Sequence, residues 1–232
     1  MTRSAGGSCA FKRVARWLAA CGVLKAWAQG AAVMTSMSAE DQVLSALALA
    51  VSDAPMWAVD TNKLFSEVVT LSRALLLALG WRLRTKHAAW AWALCLKAGA
   101  CELGVRDGLT SRLTCCELRK VAVASELKLR PAWAAGLRAA HSEARLAFSV
   151  AQWDAQFGCL KLCPLALWRL EDVFGAVDVA RLSYNSLHDC GFASVGCEPC
   201  TRAVKAGERA RAGRWWWERA TCSRSECGLH AI

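Results

Sequence analysis

The feature that most constrains the fold is an alternation of short apolar runs with longer helical ones, punctuated by small polar residues. Ala31-Ala32-Val33-Met34 reads as a strand, T-S-M-S-A-E-D (Thr35–Asp41) as a turn, and Gln42 to about Val51 as an apolar helix. A second unit follows: Met56–Val59 as a strand, Asp60–Lys63 as its loop, and a helix from about Leu64 to Leu79 that Gly80 ends. Trp81–Thr85 then alternates as a third strand would. This succession predicts an α/β fold, a doubly wound and mainly parallel sheet. Ligands of such sheets sit beyond the carboxyl ends of the strands, where Thr35–Glu40 and Asp60–Lys63 lie. The hydroxyl-rich turn suits a phosphate held by unpaired helix N–H groups. It equally suits an N-cap by Ser38 with Glu40 and Asp41 in the first turn, and the spacing favours the cap.

Further along, His87–Leu103 reads as a packed helix rich in Ala and Trp, and Arg106–Thr114 as a polar linker. A helix is expected from Cys115-Cys116 to about Leu127, a strand and loop over Pro131–Arg138, a strand at Phe157–Leu162 and a short helix at Glu171–Val177. From Tyr184 onwards Gly, Pro, Cys and Arg dominate and periodicity disappears, which predicts a tail held by something other than a core, with a mobile end. Before the first strand, Phe11, Val14, Ala15, Leu18 and Cys21 fall at helical spacing. The stretch partly imitates a secretory leader, but Lys25 interrupts the apolar run, and an amphipathic helix is the better reading. The expected organisation is a helical segment over 1–30, an α/β domain over 31–195, and a tail over 196–232 belonging to the same domain.

The 29 Lys and Arg against 19 Asp and Glu leave a formal charge of +10, which suits a polyanionic partner. Many of these cations stand among Gly and Trp near the C-terminus, so a small anionic substrate fits at least as well as nucleic acid. The longest uncharged stretch, Ala26–Ala39, has 14 residues and contains Gln, Ser and Thr, too short and polar for a membrane span. Thirteen cysteines, an odd number without the spacing of a secreted disulfide scaffold, point to metal or redox chemistry and a cytoplasmic setting.

Two thiol pairs stand out. Cys197-Glu-Pro-Cys200 lets both thiolates face one metal centre, a spacing shared by zinc sites and redox dithiols. Adjacent Cys115-Cys116 is rarer: neighbouring side chains converge poorly on one ion but can meet separate irons of a larger cluster. C-C and C-x-x-C separated by 81 residues suit a [4Fe–4S] cluster, with structural zinc or unlinked buried cysteines as the alternatives.

C-C-E-L-R-K-V, N-S-L-H-D-C-G-F-A-S-V-G-C-E-P-C-T-R, R-A-G-R-W-W-W-E and E-C-G-L-H, in this order, resemble the iron–sulfur branch of the assimilatory adenylylsulfate (APS) reductases, relatives of the phosphoadenylylsulfate (PAPS) reductases. K-L-C-P-L-A at Lys161 and T-S-M-S-A-E-D-Q-V-L extend the likeness over about 31–230. The resemblance implies a PP-loop domain of the adenine nucleotide alpha hydrolase-like type. It also implies attack by Cys227 on the sulfate sulfur of APS, loss of AMP, and release of sulfite from an S-sulfocysteine by thioredoxin or a glutaredoxin-like thiol. Cys115, Cys116, Cys197 and Cys200 would hold the cluster, and Lys120 would lie between it and the substrate. Arg145, Arg211, Arg214 and His230 would surround the phosphosulfate, with Thr35, Ser36, Gly136 and Arg138 on the nucleotide. Neither nucleic acid nor membrane is an expected partner; a homo-oligomer stays open. Ser38 stands where the family pattern has glycine, so its Cβ is expected to crowd the nucleotide, and Asn62 must supply a left-handed turn in place of another.

Overall fold

The computed structural model describes residues 17, 19–27, 29–87, 105–142, 145–218 and 226–230. Six strands form one sheet: β1 (Ala32–Thr35), β2 (Met56–Asp60), β3 (Leu83–His87), β4 (Ala132–Ala134), β5 (Ala151–Asp154) and β6 (Cys159–Leu162). Their spatial order is β3-β2-β1-β4-β6-β5; every neighbouring pair is parallel except β5–β6, which is antiparallel. The helices are α1 (19–26), α2 (Ala39–Val51), α3 (Ser66–Leu79), α4 (Leu109–Cys116) and α5 (Leu170–Ala180).

Because strand side chains alternate, the central strands feed two cores at once. Val33, Met56, Ala58, Ala132 and Ala134 point to one face, where Leu44, Leu47, Val173 and Val177 of α2 and α5 cover them. Ala32, Met34, Trp57 and Trp133 point to the other, with Leu127, Phe148 and Phe157. Cys116, Cys197, Cys200, Trp215, Cys227 and Leu229 belong to this second core. The tail is therefore not held apart from a core: at its described end, 226–230, Cys227 and Leu229 are buried in the same cluster as Ala32, Met34 and Trp133.

Several boundaries move. Gly80–Arg82 forms a 3-10 turn, with Gly80 at φ 55, so β3 begins at Leu83 rather than Trp81. The expected linker at Arg106–Thr114 contains most of α4, and the cysteine pair closes that helix instead of opening one. A π turn over Glu117–Val121 and a 3-10 helix over Val123–Leu129 follow. Strand β5 was not anticipated, and α5 is longer than Glu171–Val177. The helix expected over His87–Leu103 lies outside the described residues except for His87, which ends β3.

Candidate active site

The sheet's strand order reverses between β1 and β4, and the crevice of a doubly wound sheet opens at such a point. A cavity of about 320 Å³ lies there, lined by the loops after β1, β2 and β4 and by the C-terminal segment.

The β1–α2 loop is braced from within. The Asp41 carboxylate accepts the Ser36 N–H at 2.6 Å, the Ser36 hydroxyl at 2.7 Å and, through its other oxygen, the Gly136 N–H at 3.3 Å. Burial pushes the Asp41 carboxyl up against the pull of those Ser36 hydrogen bonds. The Ser38 hydroxyl accepts the Asp41 N–H, and the Ala39 N–H donates to His188 Nε2 at 3.2 Å. Ser38 is thus an N-cap, and the N–H groups of Ser36, Ala39 and Asp41 already have partners. Ser38 is extended (φ −72), and the left-handed residue of this loop is Met37 (φ 64). Asn62 takes the left-handed turn its type favours (φ 55). Gly136 is needed for proximity, since a Cβ there would fall on the Asp41 carboxylate and the backbone of α2.

Behind this loop a charged chain runs to the tail. Glu40, 2 % exposed, accepts from Arg138 Nε at 2.9 Å and faces His141 Nε2 at 3.1 Å. Burial would raise the Glu40 carboxyl, but His141 and Arg138 hold it well below the usual carboxylate range. Arg145 Nη1 stands 3.4 Å from His141 Nδ1, and its Nε and Nη2 donate to both Glu226 oxygens at 2.7 and 2.9 Å. Arg211 reaches the same carboxylate at 3.3 Å. Burial and the Arg145 charge draw Arg211 down to about 9. Arg214 donates to the Val195 carbonyl at 3.1 Å and lies against Gly196, where a Cβ would displace its guanidinium. Arg112, Arg211 and Arg214 place their guanidinium carbons 4.2, 5.8 and 4.7 Å from the centre of the buried Trp215 ring.

The thiols gather beside these cations. Cys197 is tied to the β2–α3 loop by a bridge to Leu64 and by Thr61 Oγ1, 3.3 Å from its sulfur. Arg119 donates to the Thr61 carbonyl at 2.7 Å, joining the same loop to the turn after Cys116. Burial raises the thiols of Cys115, Cys116 and Cys200, to about 12 for Cys116 and about 11 for Cys200, and all three sense charge on Cys197. Lys120 sits among Cys116, Cys197 and Cys227: burial opposes its charge, yet these sulfurs hold its ammonium above the ordinary range. Burial alone would raise the Cys227 thiol too; Lys120, the Leu229 N–H and Arg214 bring it below its ordinary value. His230 stacks on Trp133 at 5.8 Å, and burial pushes it well below a free histidine.

Among the described residues no three metal-ligating side chains form a group that could hold a single ion. Three buried thiols and the half-buried Cys115, gathered from two segments around Cys197 and next to a lysine, nonetheless suit a larger anionic cluster that takes one thiolate per iron.

Of the residues singled out in the sequence, Thr35, Ser36, Lys120, Gly136, Arg145, Cys197, Arg211, Arg214, Cys227 and His230 line the one cavity. Cys115, Cys116 and Cys200 lie behind its wall, and Arg138 is taken up by Glu40. Sequence reasoning passed over Glu226, Asp41, His141 and Arg112. Glu226 stood in the quoted E-C-G-L-H motif and Asp41 in the hydroxyl turn, whereas Arg112 had only its helical spacing from Cys115 and Cys116. Of the extra cysteines, Cys159 and Cys163 are buried, Cys190 is exposed, and Cys222 lies outside the described residues.

An open, mainly parallel sheet with a hydroxyl-bearing loop at its switch point defines an α/β protein of the adenine nucleotide alpha hydrolase-like class. Solved structures agree on that fold. The PAPS reductase of Candida auris superposes with a TM-score of 0.65 at 19% identity over 88% of this chain and 99% of that one. The FMN adenylyltransferase of Candida glabrata, in complex with ATP, follows at 0.56 and 16% over 80% and 61%. The sequence profile of the phosphoadenosine phosphosulfate reductase domain matches residues 30–203, and the chain belongs to that family. Relatives include the adenosine 5'-phosphosulfate reductase of Allochromatium vinosum, 36% identical over 84% of this chain and 77% of that protein. Its namesake from Sinorhizobium fredii is 37% identical over 89% and 83%.

Proposed function

We propose that the protein reduces adenylylsulfate to sulfite and AMP, with Cys227 as nucleophile and an external dithiol such as thioredoxin or a glutaredoxin-like protein as electron donor. The observation that carries this reading is the position of Cys227: a buried thiol in a cavity shared with Lys120, Arg145, Arg211, Arg214 and the β1–α2 loop. Relatives named for APS reduction support an oxidoreductase of sulfate assimilation.

In this reading the nucleotide enters at the carboxyl ends of β1 and β4, and its phosphosulfate points toward the tail. A thiolate meeting an already anionic sulfate is electrostatically opposed, so the cations beside Cys227 must offset the oxygens' charge as the S–O bond to the phosphate breaks. The Arg side chains offer planar donor forks matched to phosphate and sulfate oxygens. The thiolate's electron pair forms the S–S bond of an S-sulfocysteine while AMP leaves. An incoming thiol then attacks the Cys227 sulfur, sulfite departs, and a second thiol of the donor regenerates free Cys227 as a disulfide forms on the donor. For that exchange the 226–230 segment has to leave the core it packs into. Cys115, Cys116, Cys197 and Cys200 would hold a [4Fe–4S] cluster, whose charge would act through Lys120 on the substrate. The setting expected is the cytoplasm; no described helix is long and apolar enough to cross a membrane.

The reading is tested by purifying the protein without oxygen, measuring iron, zinc and the visible spectrum, and following sulfite from APS and from PAPS with thioredoxin. Iron near the cluster stoichiometry and preference for APS are expected. Iron-free, colourless protein would remove the cluster, preference for PAPS would move the chain to the sister activity, and full sulfite formation by Cys227→Ser would remove the nucleophile.

A further inference from the structure

One fully buried cation has no part in the reading above. Arg112 is 0 % exposed and lies on α4, three residues before Cys115 and four before Cys116, so one helical turn separates it from the pair. Its Nε and Nη2 donate to the two carboxylate oxygens of Glu218. Its Nη1 donates to the backbone carbonyl of Glu226 at 3.1 Å, and the guanidinium lies over the Trp215 ring.

We infer that Arg112 is a positioning residue for Cys227, setting the peptide unit that presents its thiol to the cavity. The Glu226 carbonyl belongs to the same rigid plane as the Cys227 nitrogen and Cα, so a donor that fixes this oxygen fixes where the cysteine starts. The Glu226 side chain is fixed independently by Arg145 and Arg211, which leaves the cysteine backbone held from both sides. A guanidinium suits the task because its fork can take both Glu218 oxygens and still offer a third donor, whereas an ammonium cannot match that geometry. The placement also makes α4 common to two functions: its last turn carries the cysteine pair and its middle carries the clasp on the cysteine tail. That second consequence rests on the proposed reading; the clasp itself does not.

The test uses Arg112→Lys and Glu218→Gln in the anaerobically purified full chain. Two readouts are taken: alkylation of Cys227 by iodoacetamide, quantified on its own peptide by mass spectrometry, and kcat and KM for APS. Alkylation reports the docking of Cys227 whatever chemistry that thiol performs, so it separates this inference from the reductase reading. Loss of one charge-assisted hydrogen bond to the docked form should raise the Cys227 alkylation rate about tenfold in either variant. For a displaced nucleophile kcat should fall by about 10²-fold with KM nearly unchanged. Unchanged alkylation and kcat with only a lower melting temperature would reduce Arg112 to a structural role and overturn the inference. A raised KM at constant kcat would make it a substrate contact and overturn it equally. Should Arg112→Lys fail to fold, Glu218→Gln, which keeps the arginine but weakens the carboxylate fork that aims its third donor at the Glu226 carbonyl, decides by the same readouts.

Discussion

Gly136→Ala is the sharpest perturbation the structure offers. The residue's backbone is not left-handed, so alanine pays no conformational penalty there; the cost is steric. Its Cβ would fall on Asp41 Oδ1 and lie 3.0 Å from the Glu40 carbonyl carbon and 3.1 Å from the Asp41 nitrogen, and two of these three atoms belong to the backbone of α2. Relief requires either the β4 loop or the first turn of α2 to shift, with loss of the Gly136 N–H bond to Asp41. Overpacking of a well-packed site costs about 1–3 kcal/mol, and a hydrogen bond to a charged group contributes about 1.5–3 kcal/mol. A destabilisation of about 2.5–6 kcal/mol follows, or roughly 5–24 °C in Tm at the 2–4 °C per kcal/mol typical of a chain this long. Gly158→Ala is the control: it carries backbone strain from φ +64 but meets no atom within 4 Å, so a loss of only about 1 kcal/mol is expected. Calorimetry of both variants checks the ranking. If Gly136→Ala melted within a degree or two of the parent while Gly158→Ala fell further, the close approach of the β4 loop to α2 would be refuted, and with it the bracing of the β1–α2 loop by Asp41.

Other outcomes follow from the same geometry. Asp41→Asn should weaken AMP binding measured by titration calorimetry while leaving Cys227 alkylation unchanged, because it loosens the Ser36 turn and the Gly136 contact but no bond to the 226–230 segment. Glu226→Gln frees Arg145 and Arg211 of a competing carboxylate, and should tighten AMP or sulfate binding several-fold by the same assay; weaker binding would show that Glu226 organises the arginines for the ligand. His141 and His230 are held below the ordinary histidine value by burial, so the unfolded chain binds more protons than the folded one below about pH 6.5. Stability should therefore be full above that pH and decline as pH falls, by at most about 1.4 kcal/mol per unit for each histidine, and Tm at pH 7.5 and 5.5 with His141→Asn reads the slope. Cys200→Ser should lose most of its bound iron, measured by metal analysis, while Cys159→Ser keeps it.

The half of the fold carrying strong local signals was legible in the sequence: β1, α2, β2 and α3 follow from apolar runs, the Ser38 cap and the Gly80 stop. Strand β5 was not, because Ala151-Gln-Trp-Asp is short, at the sheet's edge and half exposed, with Trp153 largely in solvent. Helix α4 was missed for a different reason: its buried face is made of Arg112 and Cys116, so no apolar period marks it. The site's thiols and several cations stood in motifs and could be named in advance. What holds them could not, since the partners are far apart in the chain: Glu40 with Arg138, Arg145 with Glu226, Arg112 with Glu218. The tail looked mobile because turns and cation–π contacts have no period, yet Trp215, Cys227 and Leu229 are buried.

The central claim is that Cys227 takes the sulfo group. Incubating anaerobically purified protein with APS in the absence of any thiol, then mapping peptides by mass spectrometry, tests it directly. The expected result is one SO₃ adduct on the Cys227 peptide, one equivalent of AMP, and sulfite released only when thioredoxin is added. An adduct on another cysteine, or the same yield of sulfite from Cys227→Ser, would contradict it.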